Sequence, residues 1–285
     1  MATLRQLRDR VRSLKNTQQI TRAMKMVAGA KIRRAELEMR AARPYAAAIG
    51  EMLAQLSASA GAGLNHPLMQ AREVRARALV LMTADKGLAG AFNSNLVRAA
   101  LNQIRGDAAV AFYLVGTKGR VQLRRLPNPV RGAWPLSGEP FKDRAREIAA
   151  KLSADFTNGD VDAVTLVSSR FVSTLVQRPT LTSLLPIAPQ GGGARDPSKN
   201  SFEFEPDVAA VLAALLPKYL EFTIFQALLE TQASEFAARL IAMTNATDNA
   251  GKLIDEITLQ MNKTRQASIT KEILEIVGGA EALKG

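Results

Sequence analysis

The sequence predicts an α/β protein built from two long terminal helices and an α/β domain inserted between them. Three observations carry that expectation. An apolar repeat with alternating steps of three and four runs through residues 2–56, strand-like and helical stretches alternate through the middle, and sixty residues from Lys218 to Val277 contain no proline. The two helices are expected to wind together and project from the inserted domain. The boundaries read as 1–60, 61–206 and 207–285.

The first helix follows from its periodicity. Stepping by three and four from Leu4 to Leu56 meets sixteen positions, thirteen of them apolar, which is the seam of a coiled coil. The stripe breaks at Gln18, Thr21 and Lys25, where Ile20, Met24 and Val27 are expected to carry the apolar character instead. A stripe that shifts round a helix predicts a change of neighbour. Pro44 removes a backbone donor and predicts a kink. "SASAGAG" (Ser57–Gly63) ends the segment.

The middle changes period. "RALVLMTADKGLAGAFNSNLVRAALNQI" reads as a buried strand, a glycine-containing turn and a helix with Leu96, Ala100 and Ile104 on one face. "DAAVAFYLVGTKGRVQLRRL" repeats the plan. "EPFKDRAREIAAKLSADF" is a helix, "VDAVTLVSSRF" another apolar strand, and "TLVQRPTLTSLLPI" follows it. Strands and helices alternating at this length imply a largely parallel sheet. "PQGGGARDPSKN" (Pro189–Asn200) is a loop by composition.

From Asp207 the pattern is helical again. Sixty residues at 1.5 Å each would span roughly 90 Å. The apolar stripe runs Phe225, Leu229, Phe236, Leu240, Met243, Ala246, Ala250, Leu253, Ile257 and Met261. A stripe of that length needs a partner helix, and the first segment is the obvious one. Residues 207–285 hold 7 Lys/Arg and 10 Asp/Glu, a balance of −3, against 12 − 3 = +9 in residues 1–45.

Composition narrows the function. The 285 residues are 47% apolar and 5% aromatic, with a net charge of +12 and no cysteine. Disulfides, zinc ribbons and thiol chemistry are therefore excluded. The single histidine, His66 in "GAGLNHPLMQ", reads as a loop residue and excludes a histidine-built metal site. There is no signal-peptide pattern and no run of about 18 apolar residues, so the chain is expected to be soluble and cytoplasmic, reaching a membrane only through a partner.

The basic first segment wants an acidic partner: nucleic acid, anionic lipid or an acidic protein surface. Residues 1–44 offer no aromatic side chain for stacking bases, which weakens the nucleic-acid reading without removing it. A coiled-coil adaptor with a nucleic-acid-binding arm remains one alternative, and a solvated charged face another. The turn "TADKGLAGAFN" (Thr83–Asn93) raises a nucleotide-binding enzyme as a third, although it fits neither phosphate-loop spacing. "VGTKGR" (Val115–Arg120) is weaker, and Asp255–Glu256 reads as a solvated helix flank. No serine–histidine–aspartate set is supported, and no cofactor or metal is expected.

Four stretches carry a family resemblance. "TQQITRAMKMVAGAKIRRA" (Thr17–Ala35), "TADKGLAGAFNSNL", "FEPD" (Phe204–Asp207) and "ARLIAMTNATDNAGKLIDEITLQMNKTRQASITKEILEIVGGAEA" resemble the gamma subunit of F-type ATP synthases. The likeness covers the whole chain and is most specific at the termini. It implies a long antiparallel coiled coil of N- and C-terminal helices with an inserted Rossmann-like α/β domain, acting as the central rotor shaft. The implied partners are three alpha and three beta subunits, the epsilon subunit and the c-ring. No nucleic acid is implied, and the membrane is reached only through the c-ring, at the cytoplasmic face of the bacterial inner membrane.

By matching position, the resemblance implies that Arg265, Gln266, Thr270, Glu272 and Arg239 bond to loops of a catalytic beta subunit. Met24 and Lys25 would face its acidic lever, and Phe204 and Glu205 the c-ring. The small tip beyond Val277 would turn within an apolar sleeve. The chain itself would carry no catalytic residue, and the coupling ion would be the proton. Ala89 stands where many members have cysteine, so a packing role is implied there, and the thiol switch of plastid members is impossible. Arg43, Pro44 and Tyr45 match an element common in the family.

Overall fold

A computed structural model describes residues 3–60, 66–104, 109–188 and 207–282. The chain divides into two compact units, Met1–Ala28 with Leu240–Gly285, and Gly29–Arg239. Helix α1 (Leu4–Ala60) and helix α5 (Val208–Ala282) each contribute to both.

The larger unit holds a five-stranded sheet of β1 (Ala76–Met82), β2 (Ala109–Val115), β3 (Val130–Trp134), β4 (Ala163–Phe171) and β5 (Gln177–Leu185), in the spatial order β3-β2-β1-β4-β5. The first four run parallel to their neighbours, and β5 returns antiparallel beside β4. "ALVLM" and "VAFYLV" are apolar without alternation because β1 and β2 are covered on both faces. One face packs Leu79, Leu81, Phe112 and Leu114 against Leu96 of α2 (Phe92–Gln103) and Leu123 of α3 (Thr117–Leu123). The other packs Ala78, Val80 and Tyr113 against Ile148 and Leu152 of α4 (Phe141–Thr157).

That second face is completed by the terminal helices. Leu53 and Leu56 of α1, and Leu212, Leu216, Leu220, Ile224 and Leu228 of α5, belong to the same buried cluster. Each buried leucine contributes about 1.5–3 kcal/mol, so this layer is a large share of the domain's core. An 18-residue window of α5 reaches a mean hydropathy of 1.3, enough for a membrane-crossing helix by composition alone. Its leucines on the core side meet the sheet instead.

Within Gly29–Arg239 the two helices run antiparallel, since Lys31 meets Phe236 and Tyr45 meets Phe222 with ring centroids 4.7 Å apart. In the smaller unit they are antiparallel as well, Gln18 lying beside both Thr247 and Gly251 and Thr21 beside Thr247.

Several expectations are corrected here. The stripe of α1 does not shift. Thr21 is buried and Gln18 half-buried, while Ile20 and Val27 are 60% and 56% exposed. The polar side chains bond across the seam, which removes the reason to rotate the helix. In α5, Leu253 is exposed and Ile254 sits closer to the interface. As the single long first helix required, α1 runs on through Pro44, which lies on the solvent side, where the carbonyl freed at Arg40 stays accessible to water. Helix α5 begins at Val208, in line with the helical pattern expected from Asp207, and runs through the exposed Pro217. Strand β3 was hidden in the sequence by its length, its glycine and the prolines before it. His66 caps the short 3-10 turn Pro67–Met69, its Nδ1 accepting from the Leu68 N–H at 3.2 Å.

Candidate functional site

In an open α/β sheet the ligand crevice forms where the strand order reverses, outside the carboxyl ends of the strands. Here the order reverses between β1 and β4. That position is filled by α5. Thr231 Oγ1 accepts from the Ser169 N–H at 3.4 Å and lies 3.9 Å from Met82 Sδ, and Ser234 Oγ donates to the Ser169 carbonyl at 3.5 Å. Thr231 and Ser234 are both 0% exposed. The polar groups that would greet a ligand are joined to the protein's own helix.

The Thr83–Asn93 turn is closed in the same way. Thr83 Oγ1 donates to the Val115 carbonyl at 3.1 Å and accepts from the Gly119 N–H at 2.8 Å, and Asn93 Oδ1 accepts from the Ala84 N–H at 2.9 Å. Gly116 has φ 88, and a Cβ there would lie 2.0 Å from the Thr83 carbonyl oxygen, so only glycine fits. Asp85 faces away from this turn to the start of α3 and the loop after β3. It accepts from the N–H groups of Thr117, Leu136 and Ser137 at 3.0, 3.1 and 2.8 Å, and from the Ser137 hydroxyl at 2.6 Å. Burial pushes its pKa up, but the bonds from Ser137, Leu136 and Thr117 outweigh burial and hold it below the ordinary value. An internal carboxylate thus occupies the anion position at the start of α3.

The next turn of α5 is tied to that loop. Arg239 forms an ion pair with Glu235 and donates to the Gly87 carbonyl at 3.1 Å. Lys31 Nζ lies 5.4 Å from the Phe236 ring centroid. Glu235 is 4% exposed, and burial raises its pKa to about 7 against the opposing pull of Arg239 and Lys31.

The smaller unit shows a different surface. Thr247 Oγ1 lies 2.9 Å from Thr21 Oγ1, and Gln18 Nε2 donates to the Thr247 carbonyl at 3.4 Å. Gly251 allows this approach, because a Cβ there would meet Gln18 Nε2 at 3.1 Å. Met24 and Lys25 follow on α1, both half-buried. Further along α5 the cover ends. Every residue from Arg265 to Ala280 is exposed, including Ile269, Ile273, Leu274, Ile276 and Val277. At about 100° per residue, Arg265 and Glu272 fall within about 20° of each other round the helix, and Gln266 and Thr270 within about 40°. Glu272 accepts from the Ser268 hydroxyl at 3.2 Å, and Lys271 pairs with Glu275 at 3.5 Å.

The residues singled out from the sequence thus do not converge on one pocket. Arg265, Gln266, Thr270 and Glu272 share the exposed run, Met24 and Lys25 lie on α1, Arg239 belongs to the other unit with its side chain 12% exposed, and Phe204 and Glu205 lie outside the described residues. Among the described residues, no group of three His, Cys, Asp or Glu side chains is placed to hold a metal ion. Sequence reasoning missed Asp85, Thr231, Ser234 and Glu235. A signal for the last three exists: polar residues at spacings of three and four on the buried face of an apolar helix.

Comparison with known proteins agrees with this geometry. The family model described as ATP synthase matches residues 3–283. The ATP synthase gamma chain of Desulforamulus reducens is 46% identical over 285 residues, covering all of both chains, and that of Heliobacterium modesticaldum is 46% identical over 290, covering 99% of this chain and 100% of the relative. A chain in the cryo-EM structure of the central stalk and c-ring of Tetrahymena thermophila mitochondrial ATP synthase aligns with a TM-score of 0.63 at 26% identity, over 80% of this chain and 99% of that one. A chain of the Euglena gracilis enzyme in rotational state 3 has the same fold, with a TM-score of 0.70 at 20% identity over 98% of this chain and 94% of its own.

Proposed function

We propose a coupling mechanism for this chain, which belongs to the family of ATP synthase gamma chains. It is the central-stalk rotor shaft. Its rotation inside a ring of three alpha and three beta subunits couples proton flow through the membrane sector to ATP synthesis or hydrolysis at the beta sites. The observation that carries the mechanism is the exposed run Arg265–Ala280, five of whose large apolar side chains are left open among the described residues. Such a helix needs a surrounding partner.

A shaft must grip without locking. A hydrogen bond contributes about 0.5–1.5 kcal/mol net, so contacts through Arg265, Gln266, Thr270 and Glu272 with a beta subunit are individually breakable. Met24 and Lys25 are assigned to the acidic lever of beta, and Phe204 and Glu205 to the c-ring. Arg239, already engaged by Glu235 and Gly87, joins a beta contact only by exchanging those bonds. One asymmetric shaft meets three chemically identical sites differently, and only a differential interaction of that kind can set different nucleotide affinities. The chain supplies no catalytic residue. It sits at the cytoplasmic face of the bacterial inner membrane as a peripheral subunit, with the epsilon subunit as a further neighbour.

The test is a tagged pull-down from native membranes, washed at moderate salt, with stoichiometry read by mass spectrometry. Three alpha and three beta chains per copy are expected. Recovery of nucleic acid, lost as salt rises, would replace the shaft with a nucleic-acid adaptor.

A further inference from the structure

Between α3 and β3 the surface opens into a groove of about 370 Å³. Leu114 and Leu123 form its floor, Val130 and Ala133 one wall, and Arg120, Arg124 and Arg131 its rim. β3 is the outermost strand, and its outer edge is unpaired among the described residues. Val130 in its wall is 50% exposed. The surrounding sequence is strongly basic: residues 86–134 hold eight Lys/Arg and one Asp, 8 − 1 = +7.

Soluble sheets blunt a free edge with charge and with bulges. That accounts for Arg131, which sits at the register shift of β3 and pairs with Asp160 at 3.1 Å. It does not account for an apolar floor, nor for Arg120 and Arg124, which stand on the helix side of the groove and have no acidic partner among the described residues. An apolar slot rimmed by unpaired guanidinium groups is complementary to an apolar side chain flanked by carboxylates. An open strand edge beside it suits an extended backbone.

We propose that this groove docks an acidic, extended segment of a partner protein, one apolar side chain of which rests on Leu114 and Leu123 while its carboxylates pair with Arg120 and Arg124. That the partner is a stoichiometric chain of the ATP synthase complex rests on the subunit reading above.

The test places a benzophenone amino acid at Val130 in the full chain, purifies the assembled complex, irradiates it and identifies the adduct by mass spectrometry. A single adduct is expected, on a peptide with at least two acidic residues. The charge reversal R120E/R124E should lower its yield about ten-fold, with alpha and beta content unchanged. If that variant does not assemble, R120Q/R124Q removes the charge more gently and should lower the yield in the same direction. No adduct, an adduct on a peptide without acids, or a yield indifferent to these substitutions would overturn the proposal. Saturable binding of inorganic tripolyphosphate to the full chain, abolished by R120E/R124E and accompanied by no adduct in the complex, would assign the groove to a small anion instead. Alpha and beta stoichiometry is read from the same sample, so failure of the subunit reading is distinguished from failure of the groove.

Discussion

Thr21 and Thr247 meet across the helix pair with their hydroxyl oxygens 2.9 Å apart, at a point where a coiled-coil seam is ordinarily apolar. Thr21 Oγ1 is also 3.0 Å from the Gln18 carbonyl, and Thr247 Oγ1 2.7 Å from the Met243 carbonyl. Three contacts share two protons, so one of the three is always unmade. Neither hydroxyl is orphaned by losing the other, because each keeps a carbonyl on its own helix.

The cross-helix bond should therefore be weak. A double-mutant cycle with T21V and T247V is expected to give a coupling energy below about 1 kcal/mol, and the double variant, with a drier seam, a melting temperature equal to or above that of the parent. A coupling well beyond that range would mean that the threonine pair holds the helices together.

Asp85 is a stronger anchor, since one carboxylate gathers three main-chain N–H groups from two loops beyond its own strand. D85A should destabilise the chain by about 3 kcal/mol, and D85N, which keeps one acceptor oxygen, by less. The folded pKa lies below the ordinary value, so the contribution is present above that value and fades as the pH falls through the folded one. The deficit of D85A should accordingly shrink in acid. The single tryptophan, Trp134, is on β3 close to Ser137 and reports the loop by fluorescence in urea titrations. Equal midpoints for D85A and the parent at neutral pH would contradict the anchor.

The two helices and the strand–helix alternation were legible because each depends on a local period. Leu7, Ile32, Met39 and Leu53 repeat at helical spacing and are buried, and "ALVLM" could only be a doubly covered strand. Gln18 and Thr21 misled because polarity was taken as exposure, whereas two polar groups can satisfy each other across an interface. Asp85 was invisible for another reason. Its donors, Thr117, Leu136 and Ser137, lie 32 to 52 residues away in sequence, and no local pattern records such a meeting. The exposed run was legible as odd chemistry at a chain end, but composition alone did not show where the cover stops.

Glu235 gives a pH dependence of opposite sign. Its folded pKa is raised from 4.5 to about 7, so the folded chain holds a proton that the unfolded chain releases. Its contribution is complete below about 4.5 and is lost as the pH rises toward 7. E235Q should remove about one proton from the difference between the two states, flattening the fall in stability across that window by up to about 1.4 kcal/mol per pH unit. Parallel stability–pH curves for E235Q and parent would show that Glu235 does not titrate there.

Arg265 and Gln266 are both exposed, and no packing depends on them. R265A/Q266A should leave the melting temperature of the chain unchanged within about 0.5 kcal/mol of stability while lowering ATP turnover of the assembled complex. Normal turnover at normal assembly would remove these two residues from the contact with beta.

Two truncations separate the tip from the polar run. Deleting 278–285 takes away Gly278, Gly279 and Ala280, which are exposed and offer no polar side chain to a beta subunit. Deleting 262–285 also takes Arg265, Gln266, Thr270 and Glu272, and with them the half-buried Asn262 and Thr264 at the end of the paired stretch. If torque passes through specific polar bonds, the shorter deletion keeps most of the coupled ATP synthesis in inverted vesicles and the longer one loses it. If guidance by the tip dominates, the two deletions fail alike, because both shafts lose their seat at the same point.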